Sequence, residues 1–285
     1  MATTTLTKNT PNARHLTRYL PYLLLVFGLS LTLLPFAMMI LSSFKTNAEM
    51  LRIPPTFWPE TPTLENYRTI FNDPKLPLLR FYGNSAFVAI FNMVTTLFTS
   101  SLIGYLFAKF EFAGKRILFG WFLALMIIPG QITMIPSYLI LARLGLLNSL
   151  WGLVVFSAVD AFGIFMIRQF CESLPNELMD AARIDGASEW SIYWRIVLPQ
   201  LGAPLATLGI LNFMGNWNAY LWPMIVLTKI EVRTLPIILT WYNSTHTGQG
   251  GLVQAATVLV VLPILLVFVY FQRWIVQGFT MSGLK

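Results

Sequence analysis

The residues of this chain that could do chemistry are few, and most of them sit among apolar neighbours. Asp160 interrupts the run GLVVFSAVDAFGIFMI, and Asn212, Asn216 and Tyr220 follow one another through LNFMGNWNAYLWPM. A third group is denser: DAARIDGASEWSIYWRIVLPQ, residues 180–200, sets acids and arginines between two apolar stretches. None of these makes a catalytic or metal constellation. Cys171 is the only cysteine, and His15 and His246 lie far apart in sequence. No Ser/His/Asp set, H-E-x-x-H or cysteine cluster occurs. AGKR at 113–116 lacks the leading glycine and the hydroxyl residue of a phosphate loop, so the chain has no such means of hydrolysing ATP itself. The expected catalytic set is therefore empty, as is the metal set, and the chain binds no cofactor of its own.

Transport chemistry remains. An ionisable group inside an apolar segment is costly and normally faces a bundle interior or an aqueous path. Asp160 accordingly has two readings, a path group or a hydrogen bond locking two spans. Gly209, Asn212 and Asn216 recur at i, i+3 and i+7, with Tyr220 continuing the stripe. Their amides could line a path or hold helices together. Gln131 stands beside Pro129, Gly130 and Pro136, where proline must kink or unwind a helix. Trp217 and Trp222 could stack on a sugar ring or anchor a span end at the membrane interface.

The elements that would position these residues are membrane helices. The chain is 56% hydrophobic and only 11% charged, against about a quarter charged in soluble domains. The net charge of +7 is read as topology-setting lysine and arginine rather than a nucleic-acid surface. A span needs about 20 apolar residues. Six segments qualify, at 19–44, 82–108, 117–141, 148–167, 200–227 and 252–274, the fifth interrupted by its asparagines. Pro35 and the length of the first segment argue against a cleaved signal. Lys8, Arg14 and Arg18 place a cytoplasmic tail at 1–18, and KFEFAGKR makes the second connection cytoplasmic as well. Even span number returns the tail at 275–285 to that side. Residues 45–81 form an external loop, with Pro54, Pro55, Pro59 and Pro62 suggesting an ordered cap, and Phe57, Trp58 and Tyr67 suggesting an interfacial belt.

The connection at 171–199 is too long for a mere link, since such loops run about 2 to 8 residues. Ser173 and Pro175 open a helix on which Leu178, Ala181 and Ala182 form an apolar stripe. Asp185-Gly186 ends it, because glycine tolerates the left-handed cap. Ser188 caps a second helix carrying Trp190, Tyr193, Trp194 and Val197, closed by Pro199. Such a helix–turn–helix should bury its apolar side against something, either its own bundle or a partner.

This segment resembles the cytoplasmic signature of ABC importer permeases: EAA, three residues, Gly, nine residues, Ile, one residue, Leu-Pro. Here it reads Asp180-Ala181-Ala182, Gly186, Ile196 and Leu198-Pro199 at the same spacing, with aspartate for the first glutamate. PPTFWPETPTLENY, IIPGQITMIPSYLILARLGLLNSLWGLV, NWNAYLWPMIVL and QRWIVQGFTMSGLK are similar to the carbohydrate-uptake branch, of the maltose permease G-subunit type. The resemblance runs from Tyr19 to Lys285.

It implies an all-α polytopic fold, the six-helix type I ABC importer permease fold, with the permease domain over 82–274. It implies coupling to an ATPase subunit through Glu177, Asp180, Ala181, Ala182, Gly186 and Ala187. Gln131, Asp160, Asn212, Asn216 and Tyr220 become candidates for the translocation path. ATP and magnesium would sit on partner subunits. Those partners would be a homologous second permease, two ABC ATPases and an extracytoplasmic solute-binding protein, with a sugar-type substrate. The location would be a bacterial plasma (inner) membrane. The alternatives are an ABC permease for another solute, or an ion-coupled carrier built on Asp160.

Overall fold

The computed structural model describes residues 12–245 and 248–282, with side chains over 19–245 and 248–272. The basic tail, His15, His246 and the segment after residue 272 lie wholly or in their side chains outside this description. All regular structure among the described residues is helical.

In chain order the α-helices are α1 (Asn12–Ser43), α2 (Asn47–Met50), α3 (Glu65–Phe71), α4 (Leu78–Lys109), α5 (Lys115–Ile127), α6 (Gly130–Arg143), α7 (Leu150–Val154) and α8 (Ala161–Glu172). They continue as α9 (Asn176–Ile184), α10 (Glu189–Ile192), α11 (Leu198–Gln200), α12 (Gly202–Trp217), α13 (Leu221–Val226), α14 (Ile237–Thr245) and α15 (Gly250–Ser282). A π-helical turn, Tyr193–Val197, joins α10 to α11.

Among the described residues three helices are long and apolar enough to cross a membrane, within α1, α4 and α15. Two bent pairs raise this to five if each is one span: α5 with α6, at 104°, and residues 189–200 with α12, at 76°. The first bend falls at Ile128-Pro129, where proline was expected to break the helix, while Pro136 sits inside α6.

The segment expected to span at 148–167 is not one helix. It holds α7, a non-helical stretch at 155–160, and the start of α8. The break is stable because α4 supplies the missing donors. Thr96 Oγ1 donates to the Ser157 carbonyl at 3.0 Å and Thr99 Oγ1 to the Ala158 carbonyl at 2.7 Å. In an apolar medium every freed carbonyl needs such a partner.

The contacts fall into two compact units. One comprises residues up to 69 together with 246–258. Within it, segment 45–69 is ordered by buried polar groups. Asn66 Nδ2 donates to the carbonyls of Ser43 (2.8 Å) and Lys45 (2.9 Å). The Glu49 carboxylate accepts from Thr56 Oγ1 (2.6 Å) and the Glu60 amide (3.0 Å). Lys45 Nζ donates to the Thr56 carbonyl. Phe57 and Trp58 are nonetheless exposed, so an ordered cap and an outward aromatic pair coexist.

The second unit comprises 70–245 and residues from 259. Here α4 lies against α8 and α12 through small residues. A Cβ on Gly163 would stand 2.4 Å from Ser100 Oγ, and one on Gly104 2.9 Å from Ile167 Cγ2. Glycine at both points is what permits this close approach. One core gathers Tyr105, Ile167, Cys171, Met179, Tyr193 and Val197. Another joins Val88, Leu141, Leu153, Val226 and Leu227.

Candidate functional site

The segment 173–199 is built from its turn outward. Helix α9 ends in a Schellman cap: the Ala187 amide donates to the Ala182 carbonyl (2.9 Å) and the Gly186 amide to that of Arg183 (3.0 Å). Gly186 has φ +81°, the left-handed region where a side chain costs about 1–2 kcal/mol. Ser188 then caps α10, its hydroxyl accepting from the Ser191 amide at 3.2 Å.

Arg183 clamps the two helices across this turn. Its Nε and one terminal nitrogen donate to both Glu189 oxygens (2.7 and 3.2 Å), and the other nitrogen donates to Asp180 (2.7 Å). Glu189, and then Asp180, hold the proton on the guanidinium still more firmly than usual. The clamp is fairly exposed, so its value is geometry more than stability. Behind it, Lys109 at the end of α4 donates to the Leu174 carbonyl (2.6 Å) and Asn176 Oδ1 (2.8 Å). Ser101 and Tyr193 share a hydroxyl hydrogen bond of 2.7 Å.

The apolar stripe expected on α9 divides. Met179, 2% exposed, is the residue that enters the core, and Ala182 packs beside it. Leu178 and Ala181 face away, joined by Ile184, which is 86% exposed. On the second helix Tyr193 and Val197 are buried, whereas Trp190 and Trp194 are exposed. The inner face therefore seats the segment on its own bundle, and a second apolar face is left open. Glu177, Asp180, Ala181 and Gly186 all belong to exposed positions, with Ala182 and Ala187 half-buried. A Cβ at Gly186 would meet nothing within 4 Å. Arg183, Met179 and Lys109 were not singled out from the sequence. The i, i+3 spacing of Asp180 and Arg183 hints at the clamp, but nothing local points to Lys109.

The five residues expected on a path separate into three places. Gln131 and Tyr220 line one open cavity of about 370 Å³ with Thr133, Ser137, Phe156 and Trp222. The Tyr220 hydroxyl accepts from Thr240 Oγ1 at 2.7 Å. Asn212 and Asn216 belong to a polar seam between α4 and α12. Asn92 Nδ2 donates to Asn216 Oδ1 (2.7 Å), Asn216 Nδ2 to Asn212 Oδ1 (3.0 Å), and Asn212 Nδ2 to Thr96 Oγ1 (3.2 Å). Asp160 stands at neither place. It is the N-cap of α8, accepting from the Gly163 amide at 2.9 Å and the Phe162 amide at 3.3 Å. Trp217 is buried, donates to the Val260 carbonyl at 3.3 Å and stacks on Phe213, a packing role.

Apolar helices with broken segments, an internal polar seam and a capped helix–turn–helix define the class: a polytopic membrane protein. Comparison with known proteins agrees. Residues 100–281 match the family described as binding-protein-dependent transport system inner membrane component. The chain belongs to that family.

It is 36% identical over 253 residues to the arabinooligosaccharides transport system permease protein AraQ of Halalkalibacterium halodurans, covering 88% of this chain and 90% of the relative. It is 33% identical over 265 residues to the lactose transport system permease protein LacG of Rhizobium radiobacter, covering 93% and 96%. Among solved structures, a chain of a bacterial ABC transporter involved in import of the acidic polysaccharide alginate superposes with a TM-score of 0.79. That chain is 25% identical, and the match covers 94% of this chain and 99% of the other.

Proposed function

We propose that this chain is the permease subunit of an ATP-driven importer for a sugar or oligosaccharide, forming half of the path. It docks an ATPase subunit through residues 177–187. The observation that carries this reading is the capped turn at Gly186. It stands beside an exposed apolar face while the opposite face is locked into the bundle. A push on the outer face would reach α12 through the π-helical turn and Pro199.

The partners are a homologous second permease, two ATPases and a solute-binding protein. This chain holds no cofactor, and ATP with magnesium belongs to the ATPases. The location is the bacterial inner membrane, with both termini cytoplasmic. Saccharide relatives such as the arabinooligosaccharide and lactose permeases support the substrate class. The cavity of Gln131 and Tyr220 offers an amide, hydroxyls and the Trp222 ring to a sugar, while Asn212, Asn216 and Asp160 support the helices beside it.

The test is gentle purification of the native chain and of Gly186→Trp, followed by mass identification of companions. The expected outcome is a phosphate-loop ATPase and a second permease with the native chain, and the ATPase alone missing from the variant. A native chain that emerges without an ATPase overturns the proposal.

A further inference from the structure

A cavity of about 780 Å³ lies between the turn joining α4 to α5 and the end of α8, and the transport reading makes no use of it. Its charged lining is Lys115, Arg116 and Arg168 against Glu111 and Glu172. Lys115 pairs with Glu111 at 2.8 Å, but the Glu111 side chain is 90% exposed and is easily displaced. Arg168 is fixed more firmly. It pairs with Glu172 at 2.6 Å, its guanidinium carbon sits 3.9 Å from the Phe119 ring centroid, and its Nε is buried without a hydrogen bond. Arg116 is exposed and enters no hydrogen bond or ion pair among the described residues.

Three cations against two carboxylates leave one positive charge, the complement of one phosphodiester. Gly114 has no side chain to cap α5, and while the Lys115 amide donates to the Phe112 carbonyl at 3.3 Å, the Arg116 and Ile117 amides remain for an incoming acceptor. Directly beyond, Ile117, Leu118 and Trp121 of α5 are exposed. No described residue covers this face, which leaves it open to acyl chains, with tryptophan favoured near the headgroup level.

We propose that this crevice is a binding site for the phosphodiester headgroup of an anionic membrane lipid, held by Lys115, Arg116 and Arg168 with the acyl chains along α5. Basic pockets between membrane helices are suited to such headgroups. Free phosphate shares the charge but lacks the chains, so the lipid is the occupant that the exposed apolar face selects.

The experiment uses the assembled complex, purified and exchanged into micelles doped with phosphatidylglycerol or phosphatidylcholine, with retained lipids counted by native mass spectrometry. The native complex is expected to retain phosphatidylglycerol selectively and to lose it as ionic strength rises. Arg116→Gln should weaken retention about fivefold, and Arg116→Gln with Arg168→Gln further still. Glu111→Gln, which frees Lys115, should strengthen retention, a change of opposite sign that loss of folding cannot produce. Equal retention by native and Arg116→Gln complexes overturns the proposal. So does inorganic phosphate that displaces the lipid at matched ionic strength, which would make the site one for soluble phosphate. Loss of the ATPase from Arg116→Gln would make this face a protein contact and overturns it as well.

Discussion

At the scale of the residue, Gly186 carries the most information. Its φ of +81° is the reason for glycine, and the open space around it means that a larger side chain adds no clash to that backbone cost, so that its bulk would tell on partners. Gly186→Ala should therefore cost about 1 kcal/mol through the left-handed backbone alone, measured as a small drop in thermal midpoint of the purified chain. ATPase binding should weaken far less than with Gly186→Trp.

Glu49 is the other informative residue. The Thr56 hydroxyl, helped by the Glu60 amide and the Lys45 charge, holds its carboxyl below the ordinary 4.5 despite burial. A carboxylate with a lowered folded pKa contributes stability that is whole above the unfolded pKa and is lost as pH falls through the folded one. The protection of the 52–62 amides against hydrogen exchange, measured relative to their intrinsic rates at each pH, should thus be steady above about pH 5 and should fall on further acidification. In Glu49→Gln that acid-induced loss of protection should be missing.

At the scale of the element, the crossing of α4 and α8 is set by glycine and threonine. Gly163→Leu must place atoms where Ser100 Oγ and Leu208 already stand, and overpacking of this kind costs about 1–3 kcal/mol. The expected result is a lowered thermal midpoint with poor membrane yield, while Gly215→Leu, with nothing within 4 Å of its Cβ, serves as the tolerated control. The break at 155–160 was not legible in the sequence, because GLVVFSAVDAFGIFMI contains no proline and reads as one apolar run. What holds it open is a pair of threonines on α4, about 60 residues earlier. Asp160 shows the same limit from the other side. Its charge in an apolar run was plain, but the helix start that it caps follows from the break.

At the scale of the whole molecule, a cavity shared by Gln131 and Tyr220 is the place where transport should be sensitive without loss of assembly. Tyr220→Ala is expected to lower sugar uptake in reconstituted vesicles while the ATPase still co-purifies and the chain still folds. An unchanged uptake rate would assign the cavity to packing. Asn216→Ala should act differently, through stability, since interhelical hydrogen bonds in membranes are worth about 0.6 kcal/mol each on average.

The amino-acid sequence by itself determined the membrane class, the proline break before α6, the capped helix–turn–helix and its family resemblance, because each rests on local backbone preferences or on long apolar runs. Gly186 was readable for that reason: only the left-handed turn needs it. Tertiary structure decided which side of α9 faces in, choosing Met179 and Ala182 over Leu178 and Ala181, since a short helix with apolar residues on two faces has no internal rule for its phase. It also decided that Asn212 and Asn216 meet Asn92 and Thr96 while Gln131 and Tyr220 line one cavity. An amide on a helix offers the same donors to a neighbouring helix and to a solute, and only the packing of distant segments determines which one stands opposite.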